Sequence, residues 1–321
     1  MTIAIDADCA LAYWMSSLAS RDTRERVSHV SLIERIETGA LPDWAYAPDG
    51  TVHVVATSEG ERVRRQHVAC SRTGSMHDRI SFVMSNEGIP VVSPESCVLR
   101  LANTLAFPEL VKVGLLLCSR FSFDPDACMT GRFEPVTTAI SIVKRVNALS
   151  NVAGVKKARR AVRFLVDNAA SPPEADACLL LCLPAMVGGY GCPKPELNGH
   201  VKLRVEAARA LGYEDCYCDL LWRKEKCAVE YTSEQFHTGY EKQARDEIRR
   251  AALEAMGYRV FMLTKPQLYS QSAFDAFARN VLRALGKGMP RKTIDFQSRQ
   301  YELRKKVLYE PSWVIKRACR M

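Results

Sequence analysis

Two short apolar runs, residues 216–222 and 227–231, are separated by four charged residues, Arg223, Lys224, Glu225 and Lys226. That spacing suits an antiparallel hairpin, and the hairpin constrains everything around it. Upstream, Ser171-Pro172-Pro173-Glu174 reads as an N-cap followed by proline in a first helical turn. The helix it opens carries Leu179, Leu180, Leu181 and Leu183, stops near Pro184, and leads through a loop at 187–191 to a loose strand at 197–203. Downstream come an amphipathic helix over 240–256 ended by Gly257, a strand over 258–264 and a helix over 272–285. The order is α-β-β-β-α-β-α.

A chain of 321 residues is longer than one ordinary domain, so two are expected. The first half reads as helices over 8–18 and 24–36, then short strands at 51–57, 66–70, 79–84 and 89–92. Ser93-Pro94-Glu95 opens a further helix, and Phe107-Pro108-Glu109 another. Composition shifts near Gly154. The expected division is a mixed helical and β domain over 1–150, a second domain over 151–288 and a basic tail over 289–321, with no internal repeat. The fold class is α/β in the α+β sense.

The formal charge of +9 is unevenly placed. Residues 1–150 hold 15 Lys and Arg against 17 Asp and Glu, whereas residues 151–321 hold 30 against 19. Such asymmetry suggests a polyanionic partner, most often nucleic acid. Lys156, Lys157, Arg159 and Arg160, and in the tail Arg304, Lys305 and Lys306, could track phosphates, or they could form solvated helix faces. Twelve cysteines without a basic leader point to reduced thiols and a cytoplasmic protein. No apolar run is long enough for a membrane span. Cys178 and Cys182, four apart on an apolar helix, read as small core hydrophobes.

Asp219 near the end of one hairpin strand and Glu230 in the other could converge on one face at the sheet edge. Glu174, in the first turn of the preceding helix, could lean over the same edge. Three carboxylates together in a basic domain need a cation, and an all-oxygen set favours Mg²⁺ or Mn²⁺ over Zn²⁺. Alternatively, Asp219 and Glu230 are solvated strand-end charges, one of them paired with Lys224 or Lys226.

The set Ser171-Pro172-Pro173-Glu174, Cys218-Asp219-Leu220-Leu221-Trp222 and Val229-Glu230-Tyr231, with His237, resembles the PD-(D/E)XK nuclease superfamily. More narrowly it is similar to the branch related to very-short-patch-repair endonucleases. The likeness runs on through Asp246, Arg249, Arg250 and Leu253 to Gly257-Tyr258-Arg259-Val260 and Leu263-Thr264, covering about residues 165–286. It implies a restriction-endonuclease-like C-terminal domain with a central mixed sheet flanked by helices, acting on DNA with Mg²⁺ or Mn²⁺. By that resemblance Asp219 and Glu230 are the metal-binding acids and Glu174 the helical acid. His237, Asp246 and Arg249 or Arg250 would then be supporting polar residues near the scissile phosphate. The superfamily usually places Lys two residues after the second acid, and this branch often has Asp-Gly; here the residues are Thr232-Ser233. Thr232 can offer a metal its backbone carbonyl but no ammonium, and Gln235 or His237 could substitute.

The first domain, through Gly88-Ile89-Pro90-Val91-Val92-Ser93-Pro94-Glu95 and on to Ala102, resembles the region preceding such domains in abortive-infection type IV antitoxin-like proteins. That resemblance implies a winged-helix-like element reading DNA or a protein partner. Two outcomes stay open: Mg²⁺-dependent phosphodiester hydrolysis, as in phage defence, or an antitoxin or regulator that binds DNA on a silent nuclease scaffold.

Overall fold

Ile3-Ala4-Ile5 forms a buried strand, and Asp6 caps the helix that follows, its side chain accepting from the Ala7 N–H at 2.7 Å. The computed structural model describes residues 3–19, 32–56, 62–72, 80–124, 126, 128–232, 240–291 and 293–318. Its elements in the first part are β1 (Ile3–Ile5), α1 (Ala7–Met15), α2 (Leu32–Thr38), β2 (Val52–Ala56), β3 (Val68–Arg72), β4 (Phe82–Met84) and β5 (Pro90–Val92). There follow α3 (Pro94–Leu101), α4 (Phe107–Leu117), β6 (Phe121–Phe123), β7 (Met129–Gly131), α5 (Ala139–Asn147) and α6 (Val155–Ala161). Then come α7 (Pro172–Cys182), β8 (Glu196–Lys202), α8 (Val205–Leu211), β9 (Asp215–Trp222), β10 (Cys227–Thr232) and α9 (Tyr240–Ala255). The last are β11 (Arg259–Thr264), α10 (Lys265–Tyr269), α11 (Gln271–Ala284), α12 (Ile294–Arg304) and a closing helix, Trp313–Ala318.

The chain is mixed α/β, with a five-stranded, a four-stranded and a two-stranded sheet among the described residues. It divides into two units, Met1–Leu165 with Glu310–Met321, and Val166–Tyr309. The stretch from 151 to 165 therefore packs with the first unit, beyond the division expected near 150. Val155, Ala158, Ala161 and Val162 explain this, because all four bury their apolar faces there. Nor is the segment past residue 289 a free basic tail. α12 belongs to the second unit, and Val314 and Ile315 of the closing helix are buried in the first.

In the first unit the strand order is β3-β2-β1-β5-β4, with β1 antiparallel to β2 and parallel to β5. Central β1 was not anticipated; three residues are too few for a periodic signal. Ser93 caps α3 with proline at its start, as the sequence predicts. The predicted helix over 24–36 lies partly outside the described residues, and α2 occupies its end.

In the second unit the order is β11-β10-β9-β8. β9 is antiparallel to both β8 and β10, and β10 is parallel to β11. The predicted hairpin is present as β9 and β10. Val201, Leu203, Cys216, Cys218, Leu221 and Ala228 from the strands form one buried cluster with Ala252 and Leu253 of α9. Each such aliphatic side chain contributes about 1.5–3 kcal/mol by leaving water, and this seam fixes α9 on the strands. α8 was missed because a short helix between strands carries little periodicity. Its end is marked by Gly212, at φ 78°.

Gly199 in β8 has no room for a side chain, since a Cβ there would lie 2.7 Å from the Leu221 Cβ and 2.8 Å from its Cδ2. Gly199→Ala is expected to cost about 1–3 kcal/mol, as overpacking does. The urea midpoint of the variant measures it; an unchanged midpoint would show that Leu221 repacks freely.

Candidate active site

β9 and β10 set the two acids side by side. The ladder pairs Cys227 with Trp222, Ala228 with Leu221 and Val229 with Leu220, so the next step in register sets Glu230 opposite Asp219. At that point the Asp219 side chain takes over as acceptor, receiving the Tyr231 N–H on Oδ2 at 2.6 Å. On the other side of β9 the pairing with β8 skips Asn198, which has φ 50° and would face Asp219. Asparagine tolerates this left-handed conformation better than most residues. Local irregularity of this kind re-aims side chains, and here the side chain beside it is Asp219.

Glu230 is 5% exposed. Its Oε2 accepts from Arg249 Nη2 at 2.6 Å, while Oε1 is buried with no hydrogen-bond partner among the described residues. Burial, then the nearby Asp219 charge, pushes the Glu230 carboxyl up to about 8, with Arg249 acting against them. Asp219 is also raised, chiefly by burial, although the Tyr231 N–H and Arg249 oppose the shift. Glu174 is 6% exposed at the N-terminus of α7. Its carboxylate accepts from the Ala170 N–H at 2.8 Å and from the Ser171 hydroxyl at 2.7 Å. Burial and the Asp219 charge push Glu174 up to about 7.

Asp219, Glu230 and Thr232 line a cleft of about 240 Å³ together with Asp246, Arg249 and Arg250 of α9. Leu253, Val260 and Met262 are its apolar wall. The α9 residues recur at intervals of three and four, one helix face, and buried Leu253 anchors that face. Glu174 is not among the lining residues, although the Asp219 charge acts on its carboxyl. No three His, Cys, Asp or Glu side chains among the described residues are grouped to hold one ion. A pair is nevertheless apt for Mg²⁺, which takes one or two protein carboxylates and completes its shell with water and phosphate oxygens. The buried Glu230 Oε1, with no hydrogen-bond partner among the described residues beyond the nearby Cys218 thiol, and the all-oxygen donors fit such an ion. Thr232 is exposed at the end of β10, opposite Thr264. Gln235 and His237 lie outside the described residues.

The basic residues fall into different settings. Arg249 is bonded to Glu230, and Arg250 donates to Glu247 at 2.9 Å on the surface of α9. Lys156 is exposed in α6. Its neighbours serve their own unit: Lys157 Nζ donates to the Leu105 carbonyl at 2.9 Å and Arg159 to the Leu149 carbonyl at 2.5 Å. Arg160 lies 5.1 Å over the Phe107 ring. Lys305 and Lys306 are half-buried in a π-helical turn after α12. Arg304 is buried at 4% exposure and donates to the Leu268 carbonyl, so it holds the fold and does not face a phosphate chain.

Sequence reasoning missed a second polar cluster, in the first unit. Arg100 forks onto Asp6, the Ser71 hydroxyl donates to Asp6 Oδ2 at 2.8 Å, and His53 Nδ1 meets Asp8 Oδ2 at 2.8 Å. His53 thus has a partner 45 residues away, brought in by pairing of β1 with β2. The hydrogen bond to Asp8 raises its pKa. These side chains border a recess of about 410 Å³.

The six cysteines from Cys178 to Cys227 are buried and unpaired, in keeping with core packing. No described helix is long and apolar enough to cross a membrane. The chain matches no family model, no curated protein and no solved structure.

Proposed function

We propose that the second unit is a restriction-endonuclease-like domain that cleaves phosphodiester bonds in DNA with Mg²⁺ or Mn²⁺. The observation that carries the reading is the Asp219–Glu230 pair: adjacent on β9 and β10, with the Asp219 charge disfavouring ionisation of Glu230, and with a buried Glu230 oxygen that has no hydrogen-bond partner among the described residues. Such a pair is costly without a cation. The order and directions of β8 to β11 agree with the resemblance of residues 165–286 to the PD-(D/E)XK superfamily. Asp219 and Glu230 would hold the ion, with the main chain near Thr232 as a further oxygen donor. A divalent ion there supplies a water of lowered pKa and neutralises charge on the phosphate. Glu174 adds negative charge near Asp219 and is a positioning residue. Arg249 and Arg250 present guanidinium groups to the same cleft, supplying the cation that Thr232 does not.

The test is nicking of supercoiled plasmid by the full chain with Mg²⁺. Asp219→Ala or Glu230→Ala is expected to slow it by about 10³-fold, the loss of several kcal/mol of charge stabilisation. Undiminished nicking by both variants would reject the assignment. The Arg249–Glu230 ion pair favours a second reading, a DNA binder of the antitoxin or regulator class on a silent nuclease scaffold. That protein would shift DNA in chelator, lose binding steeply as salt rises, and never nick.

A further inference from the structure

We propose that Arg249 is a displaceable counter-ion that keeps the acid pair closed until nucleic acid arrives. The inference rests on the reading of Asp219 and Glu230 as cation ligands. It makes metal and DNA binding mutually dependent.

The contact has the form of a temporary partner. Arg249 touches Glu230 through one nitrogen and one oxygen, at 2.6 Å, while the other carboxylate oxygen is buried with no partner among the described residues. The strong arrangement between these groups is a two-point fork, and this chain builds one elsewhere, from Arg100 to Asp6. The Glu230 side chain is 6% exposed, whereas that of Arg249 is 29% exposed, so the guanidinium lies at the boundary between buried acid and solvent. Its helix cannot shift easily, because Ala252 and Leu253 lock α9 into the sheet seam. The Arg249 side chain is long and flexible and can leave Glu230 without moving the backbone. Arg250, one residue on, is drawn to Glu247 instead. Among the described side chains of α9, Arg249 is thus the cation directed at the pair.

A divalent ion at Asp219 and Glu230 would repel a guanidinium on the same carboxylate. In the protein alone, Arg249 moves into water and loses its partner. With DNA present, a phosphate in the same cleft accepts it in a charge-assisted bond. Each ligand therefore strengthens the other, and by linkage the strengthening is reciprocal. The free protein would hold metal poorly and be assembled for chemistry by its substrate.

Mn²⁺ titration followed by electron paramagnetic resonance tests this without any turnover. Free wild-type protein is expected to bind Mn²⁺ weakly, and Arg249→Met about tenfold or more tightly. Arg249→Lys, which keeps the charge, should stay close to wild type; a purely structural role would make the two variants alike. A double-stranded oligonucleotide with a non-hydrolysable backbone should tighten Mn²⁺ binding about tenfold in wild type and much less in Arg249→Met. Equal or weaker Mn²⁺ binding by a folded Arg249→Met, or an equal response of both proteins to DNA, overturns the counter-ion role. Undiminished Mn²⁺ binding by Asp219→Ala overturns the cation-site reading itself, and the counter-ion role falls with it.

Discussion

Raising the pH of chelator-treated protein from about 5 to about 8 is expected to destabilise the second unit, and Glu230→Gln is expected to remove most of that loss. Glu230 is held up to about 8 and Glu174 up to about 7, from ordinary values of 4.5. Between the ordinary and the raised value, the folded state keeps a proton that the unfolded chain has released. Folding therefore takes up protons over that window, and higher pH favours unfolding. These two acids are least harmful below about pH 4.5 and most harmful above about 8. The loss of stability with rising pH is shared between Glu230 and the acids it is coupled to, Asp219 and Glu174. Glutamine keeps an oxygen for Arg249 and carries no charge, so the variant should be the more stable protein near pH 8. Urea unfolding of wild type and variant at several pH values measures the difference. Parallel profiles would mean that Glu230 ionises freely and that the pair is not a desolvated site. On the proposed reading, Mg²⁺ would stabilise the protein increasingly as pH rises, because an ion would bind the deprotonated pair.

The second large effect belongs to the first unit. Arg100→Met is expected to cost about 3–5 kcal/mol, because it strands a buried charge. Asp6 is 7% exposed, caps α1 and accepts from Ser71. Burial works against its carboxylate, yet the Arg100 guanidinium wins and holds it below the ordinary range. Without Arg100, the carboxylate keeps the burial penalty and loses the compensation. Replacing both groups, as in Asp6→Asn with Arg100→Met, should cost much less than the separate losses added together. Lower pH should rescue the single variant in part, since a protonated Asp6 no longer needs a counter-charge. Amide hydrogen exchange at β1 and β2 reports this unit, and a loss below about 1 kcal/mol would mean that water already compensates Asp6.

The second unit was legible where local signals agreed with the tertiary structure. The charged turn from Arg223 to Lys226 marked the hairpin, and Ser171-Pro172 marked the start of α7. Gly257 marked the end of α9. The acids were legible for the same reason, since strand alternation put Asp219 and Glu230 on one edge. What the local pattern did not carry was how Glu174 would spend its oxygens. Ser171 and the Ala170 N–H claim them, drawing the group into its own helix cap. Arg249 could be placed near the site through a resemblance, but its bond to Glu230 depends on the rotation of α9 set by Leu253. In the first unit the decisive pairings span long stretches, 94 residues from Asp6 to Arg100. No periodicity encodes such a contact. The same limit blurred the division near residue 150, because the apolar face of α6 is visible in sequence but the element it covers is not.

The return of residues 310–321 to the first unit bears on how the protein is made. Chains usually fold in the order in which they leave the ribosome, N-terminal domain first. Here the first unit lacks Val314 and Ile315, both buried, until the whole stretch Val166–Tyr309 has been synthesised. The second unit is continuous in sequence and can complete itself during translation. The second unit can therefore be finished while the first, made earlier, still awaits Val314 and Ile315.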